Sequence, residues 1–415
     1  MNDMTKKSGP LAGLSVVELG STVAGPFCSR LLADFGADVI KIEQEEGDAI
    51  RSFSHRKDGV SLYNTSIQRG KRIASINLRT EEGRALVRAL CEKADFVVEN
   101  FRPGTLEGWG LGYEDLAKAN PGLIMVRISG FGQDGPYAAR GGYGVVCEAV
   151  SGLREINGDP DRPPPRVATS MADYIAGLYA AFGAMMALNE RHRTGKGQIV
   201  DSSLYEGSFS FMEPHVPVFH QLGIIAERAG PLLPGNAPNS IYPSRDGRYI
   251  VMAAAVNPVF KRLVEAMGKP ELMSDPRFST AVARAENQVA IDALVAEWSA
   301  TLDLADLEAA LEKAKVPAAR IYNVQDIFDD PHYRARDMLV QVEDATLGPV
   351  TVTGVVPKLS QTPGAVAWAG RATGADTAGV LAGDLGLDPT EIDRLEAAGV
   401  VARAKMMTKT KEKSA

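Results

Sequence analysis

Cysteine is scarce in this chain: three in 415 residues, Cys28, Cys91 and Cys147, far apart and each among apolar neighbours. That excludes a disulfide-stapled scaffold, and the three read as buried free thiols of a reducing compartment. No CxxC and no Cys/His cluster is present, and the five histidines (His55, His192, His215, His220 and His332) are scattered. His215 and His220 stand five apart with Pro217 between them, a spacing that suits no helical metal pair. We expect no metal and no permanently bound cofactor. Basic charge is in deficit, with 45 Lys and Arg against 52 Asp and Glu and a net charge of −7. The one concentrated basic stretch is the tail from Arg403 to Lys413, so nucleic acid is not an expected partner. Long apolar runs are missing too; nothing approaches the roughly 18 residues of a membrane span. Met1–Ser8 has no apolar core and no arginine, which argues against a signal or transit peptide and for a cytoplasmic protein. A nucleotide fingerprint is also absent. Gly20 and Gly25 are five apart and do not make GxGxxG, and the Walker lysine is missing, so a nicotinamide-linked oxidoreductase falls.

What is present is the profile of an ordinary globular chain, 45% hydrophobic and 23% charged, long enough for two domains. Strand-like runs at Leu14–Leu19, Asp38–Ile42, Ile73–Leu78, Asp95–Glu99 and Leu123–Ile128 alternate with helical stretches at Pro26–Phe35 and Glu82–Lys93. That alternation predicts a parallel sheet covered by helices on both faces, with ligands beyond the carboxyl ends of the strands. The Gly/Pro-rich joint at Gly230–Asn236 precedes a strand pair around Tyr249–Ala254, and the chain from there to about 335 is more helical and more charged. We expect a large α/β domain at 9–225, a small domain at 226–335, a return to the large domain at 336–400, and disordered termini at 1–8 and 402–415.

Three loops follow predicted strand ends: Gly20–Pro26, Asn100–Gly104 and Ser129–Pro136. The first is small enough to let a phosphate approach the backbone, or is a plain strand-to-helix turn. Arg102, beside Asn100 and Phe101, and Arg79 could fork onto the phosphates of a nucleotide-like ligand with Phe101 covering an adenine, although most surface arginines do neither. Glu18, Glu43 and Glu99 read as solvated or network residues. The segment Thr169–Ala181 places one carboxylate, Asp173, in the first turn of a small-residue helix, three after Ser170. Helix amides favour the ionised form there, and a carboxylate in that place could attack an activated acyl group. By itself the segment is better explained by a helix cap than by a nucleophile.

The blocks Ala24-Gly25-Pro26, Gly36–Glu43, Glu99–Gly104, Ser129–Gly132, Ala172-Asp173-Tyr174 and Thr194–Gln198 with Val200-Asp201, in that order, resemble the family III CoA-transferases of the CaiB/BaiF type. The resemblance runs from Leu11 to about Val401. It implies a Rossmann-like parallel-sheet large domain with a smaller α+β domain, and two chains threaded through each other as an interlocked homodimer. It implies that Asp173 is the nucleophile and that a coenzyme A thioester is a substrate. It carries the CoA contacts to Val23, Ala24, Ile76, Arg79, Asn100, Phe101 and Arg102, with Arg140 and Tyr143 closing over the ligand. Three positions depart from the family pattern. Gln44 stands where an arginine is common, so that a phosphate contact is lost or passes to Arg51; Val23 replaces a glutamine of oxalate-specific members; Gly144 replaces an acidic residue.

The reaction so implied moves CoA from a donor thioester to a carboxylic acid through aspartyl intermediates, with succinyl-CoA as donor and a small dicarboxylate as acceptor. Asn236, Asn239, Ser240 and Tyr242 offer polar groups for the acceptor, and His215, Arg228 or Lys261 could pair its second carboxylate. The alternatives are a 2-methylacyl-CoA racemase or another acyl-CoA-binding protein of the superfamily. A racemase needs a base near Tyr143-Gly144, and no histidine lies between His55 and His192.

Overall fold

Strands separated by helical crossovers cannot close hairpins, so they pair in parallel. In the computed structural model, which describes residues 8–404, they build one seven-stranded sheet. Its strands are β1 (Ser15–Glu18), β2 (Asp38–Glu43), β3 (Lys71–Ile76), β4 (Phe96–Glu99), β5 (Ile124–Ser129), β6 (Ile199–Ser203) and β7 (Val401–Ala402). Across the sheet the order is β7-β3-β2-β1-β4-β5-β6. Every neighbouring pair is parallel except β7 with β3. The order runs outward from β1 on one side and from β4 on the other. The β1/β4 boundary is therefore the switch point, where a crevice opens at the carboxyl ends of the strands.

Alternation along the strands supplies two apolar layers. Val16, Val39, Phe96, Val98, Val126 and Ile128 face helices α1 (Ala24–Asp34) and α3 (Met171–Thr194). Val17, Ile40, Ile42, Ala74, Val97 and Met125 face the opposite layer, which includes Val87 and Leu90 of α2 (Glu81–Cys91). Helix α3 is long and apolar enough to cross a membrane by length and composition. Its Ala176, Ala180, Ala184 and Ala187 are instead buried in the first layer, so the segment serves as a core helix. It lies very close to α1: a Cβ at Gly177 would come within 2.8 Å of the Ala24 carbonyl oxygen and 2.9 Å of Phe27 Cδ1.

The chain forms two compact units. One runs to Leu153, takes in Val167–Val216 and resumes at His332; the other comprises Arg154–Arg166 and Pro217–Pro331. The first holds the large sheet and a hairpin of Leu339–Asp344 with Gly348–Thr353. The second has its own antiparallel sheet of Asn239–Pro243, Tyr249–Ala253 and Ala318–Arg320, with a core that includes Tyr242, Ile250, Phe260, Phe278 and Val295. The loop 154–166, which sequence reasoning assigned to the large domain, clusters with this second unit.

Two strands of the large sheet escaped the sequence reading. β6 is half polar, and β7 is two residues long at a sheet edge; its second residue, Ala402, which pairs with Ser75, falls in the expected disordered tail. Residues 1–7 and 405–415 of the expected disordered termini lie outside the described residues. β3 begins at Lys71 rather than Ile73 because that lysine is fully buried within the strand, its charge met by Glu18.

Candidate active site

Three strand ends and one helix start converge at the switch point around a cavity of about 250 Å³. β1 delivers Ser21, Thr22 and Ala24, β4 delivers Asn100, Phe101 and Arg102, and β5 delivers Ser129 and Gly130. The segment after β5 adds Arg140 and Tyr143, and α3 adds Asp173. Seven residues singled out from the sequence thus share one cavity. Asn100 ties two of the strand ends together: its Oδ1 accepts from the Ser21 amide at 2.7 Å and its Nδ2 donates to the Ser21 carbonyl at 2.8 Å. Phe101 packs edge-on against Trp109, and the Arg140 guanidinium lies 3.8 Å over the Tyr137 ring.

The remaining candidates lie elsewhere. Val23 is buried against Ile50 and Ile67. Gln44 and Arg79 line a smaller recess of about 60 Å³ with Glu45, Glu46, Asn77 and β7. Ile76 is fully buried in the core, so its side chain offers a ligand nothing. Arg51 does not stand free in place of the arginine missing at Gln44. Its fork is closed on Glu43 at 2.9 and 2.8 Å, and it also donates to the Arg371 carbonyl.

Asp173 is the third residue of α3 and is half-buried. The expected capping box does not form: Ser170 makes no side-chain cap bond. The carboxylate rests instead against Gly144, where a Cβ would stand 2.3 Å from Oδ2 and 3.2 Å from Cγ. Gly130 and Gly142 close the same wall, since a Cβ on either would reach 2.6 Å from the other's Cα. Behind them Cys147 donates to the Gly130 carbonyl, and burial, with the Asp173 charge adding to it, pushes its thiol up to about 12. Cys28 and Cys91, also buried and free, are likewise pushed up to about 12 by burial.

Sequence reasoning missed a buried charge network beneath the first loop. Glu18 and Lys41 stand in register on β1 and β2, and both are fully buried. Lys41 Nζ donates to Glu18 at 2.9 Å and to the Gly20 carbonyl at 2.6 Å, and pairs with Asp48 at 2.8 Å. Lys71 Nζ donates to Glu18 at 2.7 Å. Burial opposes the Asp48 charge, but Lys41 and the amides of Ile50 and Thr22 outweigh it and hold that carboxyl down at about 2. The available signal was charge inside strands of a doubly covered sheet, where a lysine or glutamate must find a partner. Glu43 and Glu99 follow the same rule, buried on Arg51 and Arg127. None of the three strand glutamates is solvated.

Of the acceptor candidates, Tyr242 is a core residue of the second unit whose hydroxyl donates to Asp292. Ser240 is buried, and Arg228 is engaged by Glu155 and the Asp159 carbonyl. Lys261 faces Glu265 on the surface. Asn236 and Asn239, in the same unit, are half-buried.

A carboxylate walled by glycines, in a switch-point cavity with two arginines at its rim, fits acyl chemistry on an anionic thioester. Comparison with known proteins decides the family: residues 11–377 match CoA-transferase family III. The chain belongs to the family III CoA-transferases. This CoA-transferase is 46% identical to the succinyl-CoA–D-citramalate CoA-transferase of Chloroflexus aurantiacus, over 94% of the chain and 98% of that protein. It is 37% identical to the β subunit of the succinyl-CoA–L-malate CoA-transferase of the same organism, over 96% of the chain and all of that subunit. Among solved structures, a CaiB/BaiF family protein from Brucella suis superposes with a TM-score of 0.82 at 36% identity, over 91% of this CoA-transferase and all of that chain. The enzyme is a CoA-transferase of mixed α/β fold, and CoA thioesters are its substrates.

Proposed function

We propose that the enzyme moves CoA from succinyl-CoA to a small dicarboxylic acid through covalent intermediates on Asp173. The observation that carries this reading is the Asp173 carboxylate in the switch-point cavity with Asn100, Phe101, Arg102, Arg140 and Tyr143 around it. Two similar enzymes that act with succinyl-CoA on citramalate and malate support the donor and the acceptor class. Asp173 attacks the thioester carbonyl and expels the CoA thiolate, leaving a mixed anhydride. The thiolate then attacks the aspartyl carbonyl and releases succinate, so that CoA is held as an aspartyl thioester. The acceptor carboxylate repeats the attack on that thioester, the thiolate returns to the acceptor acyl carbon, and Asp173 is regenerated. Thioester energy is conserved at every step. The apolar and glycine wall keeps water from the anhydride.

Arg102 and Arg140, both exposed at the rim, suit CoA phosphates. Val23 and Ala24 offer backbone, and Gln44 with Arg79 offers a second polar recess. A racemase is disfavoured because, among the described residues, no histidine lines the cavity. The enzyme works as a homodimer in the cytoplasm on this reading, and exposed Leu178, Phe182 and Met186, one turn apart on α3, support a second copy as partner.

The test is covalent trapping. Incubation with succinyl-CoA alone followed by borohydride or hydroxylamine should modify one peptide, that containing Asp173, and Asp173→Asn should abolish both adduct and transfer. Full transfer in Asp173→Asn, or full transfer with no donor-dependent adduct after a denaturing quench, overturns the aspartyl route.

A further inference from the structure

Thr22 lines the cavity with φ at 70°, in the left-handed region, although it is β-branched. Such a residue is a genuine outlier, and it persists only where its surroundings over-determine it. The surroundings here converge on one side chain. Asp48 Oδ1 accepts from the Thr22 amide at 2.9 Å, from Ser21 Oγ at 3.1 Å and from the Ile50 amide at 2.9 Å. Its other oxygen meets Lys41 Nζ at 2.8 Å, and the same ammonium donates to the Gly20 carbonyl. Asp48 is 7% exposed and does not line the cavity, so the chemistry proposed above leaves it unused.

We propose that Asp48 is a positioning residue: it locks Thr22 in the left-handed conformation and so sets the edge of the acyl-CoA cavity from Ser21 to Ala24. This rests on the reading of that cavity as the CoA site. Lys41 has two roles in the arrangement. It compensates the buried carboxylate and pins the turn one residue before Ser21. A left-handed turn at Thr22 redirects the chain from β1 into α1, which brings Ala24 to the cavity wall. Without the lock, Thr22 relaxes toward negative φ and the loop leaves the position in which it meets the thioester.

A rival role for Asp48 is charge balance for Lys41 alone, and two comparisons separate the two. Asp48→Asn keeps an oxygen acceptor for the Thr22 amide but removes the negative charge; Asp48→Ala removes both. The lock predicts that Asp48→Ala lowers kcat/KM for succinyl-CoA about tenfold, mostly through KM, while Asp48→Asn loses less than about fivefold relative to wild type. Charge balance alone predicts equal losses. The second comparison uses Thr22→Gly as a background, because glycine adopts positive φ without help. Asp48→Ala measured against Thr22→Gly should then cost less than about threefold. Equal losses in Asp48→Ala and Asp48→Asn, or the same loss in both backgrounds, overturn the proposal. Should Asp48→Ala fail to fold, Asp48→Asn decides: a loss beyond about fivefold overturns the lock and a smaller one upholds it. Absence of wild-type transfer from succinyl-CoA would count against the functional reading instead, and is read before any variant.

Discussion

At the scale of single residues, Gly144 carries the sharpest consequence. It begins a short helix at ordinary negative φ, so alanine suits its backbone. Its missing side chain is nonetheless occupied space, since a Cβ would stand 2.3 Å from Asp173 Oδ2. Gly144→Ala must therefore turn or push the carboxylate away from the position proposed for attack. A displacement of about 1 Å at a reacting group costs up to about a hundredfold in rate. We expect Gly144→Ala to lower kcat by about ten- to a hundredfold with KM for succinyl-CoA changed less than about threefold, and with the thermal midpoint nearly unchanged. Steady-state kinetics beside a melting curve checks this. A wild-type kcat would show that the carboxylate finds its reactive position without that space. The spacing of Ser170 and Asp173 suggested a capping box, which the structure lacks; neighbouring segments, invisible to local spacing, decide where such a side chain rests.

At the scale of elements, the packing of α1 on α3 sets the distance between the first loop and the proposed nucleophile. Gly177 is the point of closest approach, one turn beyond Asp173 and facing the Ala24 carbonyl. Gly-to-Ala in a helix interior ordinarily stabilises by about 0.5–1 kcal/mol. Here the added methyl meets backbone at 2.8 Å, which cannot move aside as a side-chain tip can. Overpacking of that kind costs about 1–3 kcal/mol, so the net effect should be destabilising by about 1 kcal/mol. Gly177→Ala should also lower kcat, because separating the helices moves Asp173 away from the Ser21–Ala24 edge. Chemical denaturation and kinetics together read this out; a stabilised variant of full activity would mean that the helices separate without consequence.

At the scale of the whole molecule, the composition of α3 poses a question that a single chain leaves open. One side of the helix is buried alanine, while Leu178, Phe182 and Met186 on another are each more than half exposed. A single exposed leucine needs no explanation, but three large apolar side chains at four-residue spacing make a stripe suited to a partner surface. We expect sedimentation to give twice the chain mass of 44.3 kDa for the wild type. The double substitution Leu178→Glu with Phe182→Glu should weaken that dimer. A wild-type monomer at micromolar concentration refutes the homodimer, and an unaffected dimer in the double variant moves the interface off this stripe.

The sequence by itself determined what depends on neighbours along the chain. Alternating apolar runs and helix signals are local, so the parallel sheet, the strand ends at 20, 100 and 129, and the helix bearing Asp173 were legible from residues alone. Motif order added the family and its candidate nucleophile, because a run of weak blocks in one order is specific where each block is weak. Tertiary structure decided what depends on residues distant in the chain. Glu18 reads from the sequence as a solvated or network residue, and only the fold sets Lys41 and Lys71 at 2.9 and 2.7 Å from its carboxylate. Asp48 sits in an acidic loop, and its hydrogen bond from the Thr22 amide, a residue at positive φ, spans 26 positions of sequence. Gly144 and Asp173 are 29 positions apart in sequence, yet the one has no side chain where the other has its carboxylate. Periodicity and propensity act over a few residues and can be read in one dimension. Charge compensation, close approach and backbone strain are properties of atoms brought together in space, and only the fold brings them together.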